Sequence, residues 1–176
     1  MDQCIVGAPD FCYEHVGHLQ FFERARAVAE KRAAERGLIA RMVVGVSSDA
    51  LHYKKKAVAP VVPLEERMGT VAGLKSVDEV FSEKSLEMKR GYVRQFGAEC
   101  LVMGYDHEGR FAEVEPLGCS RVFLSHTPGV STNDRIQAIA AKSKQTEDAN
   151  RKRKEHEKNQ YAELAKHEVE RLQASN

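Results

Sequence analysis

The chain has 176 residues, 27 Lys and Arg against 26 Asp and Glu, and a formal net charge of +1. That length suits one α/β domain with a real core and a tail, and the charge balance excludes a global attraction to nucleic acid or to a membrane surface. No apolar stretch is long enough to span a bilayer, and "MDQCIVGAPDF" opens acidic and soon meets Pro9 instead of reading as a signal peptide. The expectation is therefore a cytoplasmic protein, without membrane insertion and without a nucleic-acid partner.

"QCIVGA", Gln3 to Ala8, reads as a short buried strand ended by Pro9 and Asp10. From Val16 to Arg36 apolar residues recur at helical spacing (Leu19, Phe22, Ala25, Val28, Ala29), with Gly37 as the stop. "RMVVGVSSD", Arg41 to Asp49, is a β-branched run closed by turn formers, which predicts a second buried strand. "YKKK" (Tyr53 to Lys56) and "AVAPVVP" read as a loop of concentrated positive charge. Leu64 to Val77 is amphipathic, and Pro63 before it suits a first helical turn. "VDEVFS" is a short extended piece, and "SLEMKRGYVRQFG" a helix ending at Gly97. "ECLVMG" and "RVFLS" (Arg121 to Ser125) are the third and fourth strands, and Ser131 and Thr132 cap a further helix.

Strands alternating with helices predict an α/β fold, a Rossmann-like parallel sheet with helices on both faces. Composition changes after Ala141, so we expect a domain over 1–142 and a charged helical C-terminal tail over 143–176. Tyr161, Leu164, Ala165, Val169 and Leu172 form a thin apolar stripe along that tail, enough for docking or self-association and equally compatible with a solvated helix. Of the four cysteines, Cys4, Cys100 and Cys119 lie in or beside apolar runs and are predicted to be buried thiols; no CxxC or zinc spacing occurs.

In a parallel sheet, ligands bind beyond the carboxyl ends of the strands. Four polar clusters fall there: His15, Gly17 and His18; Lys54 to Lys56; "GYDHEGRF" (Gly104 to Phe111); and "HTPGVSTND" (His126 to Asp134). His15 and His18, three apart at a helix opening, face the same way and offer donors without a permanent charge. Gly17 removes a Cβ where a phosphate must approach, and the helix dipole favours an anion. Each cluster alone has a plainer explanation, as a helix start, a solvated charged face or a cap. Their shared position is the argument.

In order, "HVGH", "VVGVSSDALHYKKK", "PLEER", "VDEV", "LVMGYDHEGRF" and "TPGVST" resemble the HxGH cytidylyltransferase family, and within it the small bacterial glycerol-3-phosphate cytidylyltransferases. The likeness runs from about His15 to Ile139. It implies a Rossmann-like nucleotidyltransferase, often a homodimer, that joins CTP to a small alcohol phosphate with Mg²⁺ and releases pyrophosphate. By the same resemblance His15, His18, Lys55 and His126 are catalytic, and Lys54 and Lys56 meet the acceptor phosphate. Phe11, Cys12, Gly17, Arg67, Gly104, Asp106, His107, Gly109, Arg110, Thr127, Val130, Ser131 and Thr132 line the nucleotide. No side chain is expected to bind metal directly, since Mg²⁺ would arrive on the triphosphate.

The sequence also departs from the family pattern. Cys12 falls where relatives carry an aspartate, unless a two-residue insertion restores Asp10 to that role with Gly7 as the glycine. Tyr105 replaces an acid, His107 a tryptophan and His126 an arginine. The last change exchanges a permanent charge for one that a histidine carries only in part near neutral pH. Two alternatives therefore stand beside the cytidylyltransferase: a nucleotide-binding or assembly protein without catalysis, and an ATP-using adenylyltransferase of the same superfamily.

Overall fold

A computed structural model describes residues 1–7, 15–129 and 132–174. Among them five strands form one parallel sheet in the order β3-β2-β1-β4-β5. The strands are β1 (Asp2–Gly7), β2 (Ala40–Ser47), β3 (Glu79–Glu83), β4 (Cys100–Gly104) and β5 (Ser120–Leu124). The helices are α1 (Val16–Glu35), α2 (Asp49–Lys56), α3 (Leu64–Ala72), α4 (Lys89–Phe96) and α5 (Thr132–Ala174). This is the Rossmann-like α/β architecture that the alternation of elements predicts.

Side chains of a strand alternate between faces, and each central strand here is apolar on both. Cys4, Val6, Met42, Val44, Val46, Cys100 and Val102 pack on one face against Phe21, Phe22, Ala25, Ala29 and Ala33 of α1 and Val71 of α3. Ile5, Val43, Leu101 and Met103 pack on the other against Tyr92 and Val93 of α4, with Phe111 and Val114. The small residues at 25, 29 and 33 let α1 lie close to the sheet, while Phe22 fills the space beside them. Truncating Phe22 to Ala would cost about 3–5 kcal/mol. Cys4, Cys100 and Cys119 are buried free thiols, as their apolar neighbours predict.

Four segments differ from the sequence reading. The helix that starts at Leu64 ends at Ala72, with Gly73 as its C-cap, and does not run to Val77. The lysine run is not a loop: it forms the last turn of α2, which Ser48 caps by accepting the Leu51 N–H at 3.2 Å. "SSD" is thus a helix start as well as a strand end. "VDEVFS" is more than an extended piece, because Glu79–Glu83 pairs in register with Val43–Ser47 and supplies the fifth strand. α4 begins at Lys89, four residues later than "SLEM" suggests, and ends as predicted at Gly97, whose φ of +59° a glycine adopts at little cost.

Two compact units are present, Met1–Thr132 and Asn133–Asn176. Position 142, where composition shifts, falls inside α5. In the second unit Ile139, Tyr161 and Leu164 are exposed. Among the described residues no helix is long and apolar enough to cross a membrane.

Candidate active site

The sheet order reverses direction between β1 and β4, the point where open α/β sheets form a crevice at the carboxyl ends of the strands. The start of α1, the last turn of α2 and the loop after β4 each carry a predicted cluster.

His15 is the N-cap of α1, with extended backbone (φ −148°, ψ 170°). Its Nδ1 accepts the Gly17 N–H at 3.1 Å, and the His15 N–H donates to His18 Nδ1 at 3.3 Å. This is a capping box built from two imidazoles. The rings stack with centroids 3.9 Å apart and planes at 18°. An Nδ1 that accepts carries no proton, so both neutral rings hold theirs on Nε2. His18 is 7 % exposed, and burial, followed by the neighbouring His15, pushes its pKa down to about 3. The pair thus supplies neutral N–H donors of fixed tautomer. The Gly17 N–H is spent on the cap, so here the side chains take over the donor role that the sequence assigns partly to the backbone.

The three lysines of α2 diverge, since successive helical residues turn by about 100°. Lys54 pairs with Glu87 at 3.3 Å on the surface, and Lys56 is exposed. Lys55 is half-buried, and its Nζ donates to Ser47 Oγ at 3.4 Å. Its charge is felt at both His107 and Lys89, so Lys55 belongs to the crevice side. Arg67 of α3 is 1 % exposed; its partners are Val62 O, Ser47 O and the Asp49 carboxylate.

After β4, Gly104 leads into a one-turn 3-10 helix, Tyr105–His107. Asp106 folds back over Gly104, where an added Cβ would lie 2.5 Å from Asp106 Oδ1. Asp106 also stands between two imidazoles, 3.6 Å from His107 Nε2 and 3.7 Å from His126 Nε2. Arg110 Nη1 lies 3.2 Å from His107 Nδ1. A guanidinium only donates, so the His107 proton sits on Nε2, toward Asp106. Burial lowers the His107 pKa, Asp106 opposes this, and Arg110, Lys55 and Lys89 add to it. Gly109, with φ +78°, shapes the turn. Phe111 is buried with a left-handed φ of +64°, and its ring lies 5.2 Å from the Arg110 guanidinium and 5.7 Å from the His107 ring.

The loop after β5 carries His126, 74 % exposed, then Thr127 and Gly129. Arg24 of α1 donates to the Ser125 carbonyl at 2.7 Å and so ties this loop to the helix that bears the histidine pair. Thr132 is the first residue of α5. Phe11, Cys12, Val130 and Ser131 lie outside the described residues, as does the choice between Cys12 and Asp10.

One candidate was not singled out in the sequence. Lys89, the first residue of α4, is 1 % exposed and forms an ion pair with the equally buried Glu83 at the end of β3. An added Cβ at Gly7, the last residue of β1, would fall 2.9 Å from Lys89 Nζ, and the Phe111 ring centroid lies 5.6 Å away. A cation therefore sits beside the end of β1, where Gly7 leaves room for both Met103 and Lys89. Burial lowers its pKa while Glu83 opposes the shift. The sequence signal was faint: Glu83 and Lys89 lie in the charged run "SEKSLEMKR", where nothing predicts their burial.

Among the described residues no group of three or more His, Cys, Asp or Glu could hold a metal ion. A polyanion with its own counter-ion suits this edge better than a bare cation, because the charges of Lys55, Lys89 and Arg110 are all felt at His107.

Residues 11–115 match the family model described as Cytidylyltransferase-like. The chain is 30% identical over 126 residues to glycerol-3-phosphate cytidylyltransferase of Bacillus subtilis (strain 168), a match covering 72% of this chain and 88% of that protein. The protein of the same name from Staphylococcus aureus (strain NCTC 8325 / PS 47) is 27% identical over 128 residues, covering 73% and 88%. Bifunctional protein HldE of Shewanella sp. (strain ANA-3) is 30% identical over 140 residues, which are 74% of this chain and 27% of HldE. Among solved structures, the lipopolysaccharide core biosynthesis protein from Thermoplasma volcanium GSS1 shares the fold, with a TM-score of 0.53 at 17% identity, covering 72% of this chain and 97% of its own.

Proposed function

From the membership of this chain in the cytidylyltransferase-like family, we propose that it transfers CMP from CTP to a phosphorylated small alcohol, glycerol 3-phosphate first, and releases pyrophosphate. An acceptor phosphate oxygen attacks the α-phosphorus in line; the new P–O bond forms as the bond to the β-phosphate bridging oxygen breaks, and the electron pair leaves with pyrophosphate. Such a transfer needs positioning and charge stabilisation more than covalent chemistry from the protein.

The observation that carries this reading is the stacked His15–His18 pair at the mouth of α1. Two Nε2–H donors of fixed tautomer suit phosphate oxygens whose charge grows in the transition state. Lys55 and Lys89 add positive charge on the crevice side, with Lys54 and Lys56 on the outer rim toward the acceptor phosphate. Asp106, His107 and Arg110 occupy the loop assigned to the cytidine. His126, Thr127, Ser131 and Thr132 belong to the loop and helix start assigned to the triphosphate. Mg²⁺, when bound through the triphosphate oxygens, would neutralise part of their charge. The reading includes a cytoplasmic homodimer.

A second reading rests on Tyr105 and His107, which give the base loop a composition unlike the family pattern: an adenylyltransferase using ATP. The experiment is a pyrophosphate-release panel with Mg²⁺, CTP or ATP, and glycerol 3-phosphate, phosphoethanolamine, phosphocholine or sugar phosphates, at pH 6 and pH 8. CTP-dependent release supports the first reading and ATP-dependent release the second. Nucleotide binding by calorimetry without release in any mixture would leave a binding protein that has lost catalysis.

A further inference from the structure

The resemblance places Arg67 near the nucleotide, yet each nitrogen of its buried guanidinium already has a protein partner. Nε donates to Val62 O at 2.9 Å, Nη1 donates to Ser47 O at 2.8 Å, and Nη2 pairs with the Asp49 carboxylate. Ser47 and Asp49 lie at the junction where β2 ends and α2 begins, while Val62 lies just before α3. Ser47 is the last residue of β2 and is itself 1 % exposed. Its carbonyl holds Arg67 while its hydroxyl accepts from Lys55 Nζ at 3.4 Å. The next residue, Ser48, caps α2 and anchors it to the sheet by donating its N–H to Glu83 O at 2.8 Å.

We propose that Arg67 is a positioning residue that acts on phosphate binding through Lys55, by fixing the start and the rotation of α2. The inference rests on the phosphate-binding reading of Lys55 given above. α2 is only eight residues long, too short to hold its shape alone, so its first turn decides where its last turn points. A one-residue slip turns the helix by about 100°, enough to replace Lys55 at the crevice with Lys54 or Lys56. The bonds to Ser47 O and to the Asp49 carboxylate, from one planar guanidinium that Val62 O holds in place, oppose that slip, and lysine, with a single point charge, cannot reproduce the fork. Glu83 O, on the same junction, belongs to the residue that pairs with Lys89, so one knot of contacts orients both lysines.

A double-mutant cycle tests this, with inorganic tripolyphosphate plus Mg²⁺ as the probe and calorimetry as the readout. Asp49 is half-exposed, so Asp49→Ala removes one arm of the fork while leaving Arg67 its two carbonyls. Asp49→Ala and Arg67→Lys are each expected to weaken binding about tenfold, and Lys55→Ala at least as much. The Asp49→Ala/Lys55→Ala protein should bind no more weakly than Lys55→Ala alone. Effects that multiply in the double variant would overturn the proposal, as would Asp49→Ala that melts earlier yet binds like wild type, or wild type that does not bind the probe. If Arg67→Lys fails to fold, the Asp49 arm decides. Wild type that releases no pyrophosphate from CTP and glycerol 3-phosphate, while the cycle behaves as expected, would refute the proposed reaction and leave the role of Arg67 standing.

Discussion

The two ends of the sheet are held in opposite ways. At the amino edge, opposite charges meet: Arg36 bridges Asp2 and Glu99, Arg26 reaches Asp78 and Glu30, and Arg41 pairs with Glu79. At the carboxyl edge cations gather, so that Lys55, Lys89 and Arg110 all bear on His107, with Asp106 as the opposing charge among these groups. Like charges brought together raise the energy of the fold, a cost that Glu83 on Lys89 and Asp106 beside His107 offset in part. The amino edge pairs opposite charges; the carboxyl edge concentrates positive ones.

Breaking the carboxyl edge should have the larger effects. Lys89→Met strands the buried Glu83 carboxylate and should cost about 3–5 kcal/mol of stability, read by urea unfolding. The Glu83→Gln/Lys89→Met double variant, which removes both charges, should recover much of that loss without recovering turnover. His18→Ala should lower turnover by at least about 10²–10³-fold with the fold intact by circular dichroism; wild-type-like turnover would remove the imidazole pair from the mechanism.

The same histidine gives a pH test of intermediate size. Its folded pKa of about 3 lies below the ordinary 6.5, so between those values the unfolded chain binds a proton that the folded chain does not. Stability from this group is complete above about pH 6.5 and is lost as pH falls toward 3. Urea titrations at pH 7, 5 and 4 should show a smaller slope for His18→Gln than for wild type; equal slopes would count against a neutral, buried His18. At the amino edge, Arg36→Ala should lower the urea midpoint less than Lys89→Met does, since the Arg36 side chain is partly exposed although its partner Asp2 is buried, and it should leave turnover unchanged.

The sheet and its two-sided core were legible because β-branched runs and helical periodicity are local signals. The sequence places the polar clusters after strand ends but does not show the divergence of the three lysines, which follows from their position in the last turn of α2. The helical start of α2 was hidden because Ser48 and Asp49 serve equally as turn formers and as caps. β3 was underrated because its charged ends, Glu79 and Glu83, mask a register visible only beside Val43–Ser47. Lys89 escaped because its burial depends on partners from three other segments, Gly7, Glu83 and Phe111. Tautomers could not be read at all, since they follow from which ring nitrogen accepts, a matter of ångströms.

The imidazole cap of α1 also makes the Gly17 amide an internal reporter. Its hydrogen is shared with His15 Nδ1, so any event that protonates or turns that ring must release it. The nitrogen-15 chemical shift and the hydrogen-exchange rate of this one amide would then follow the first histidine through binding and turnover, in a protein that has no tryptophan to fluoresce.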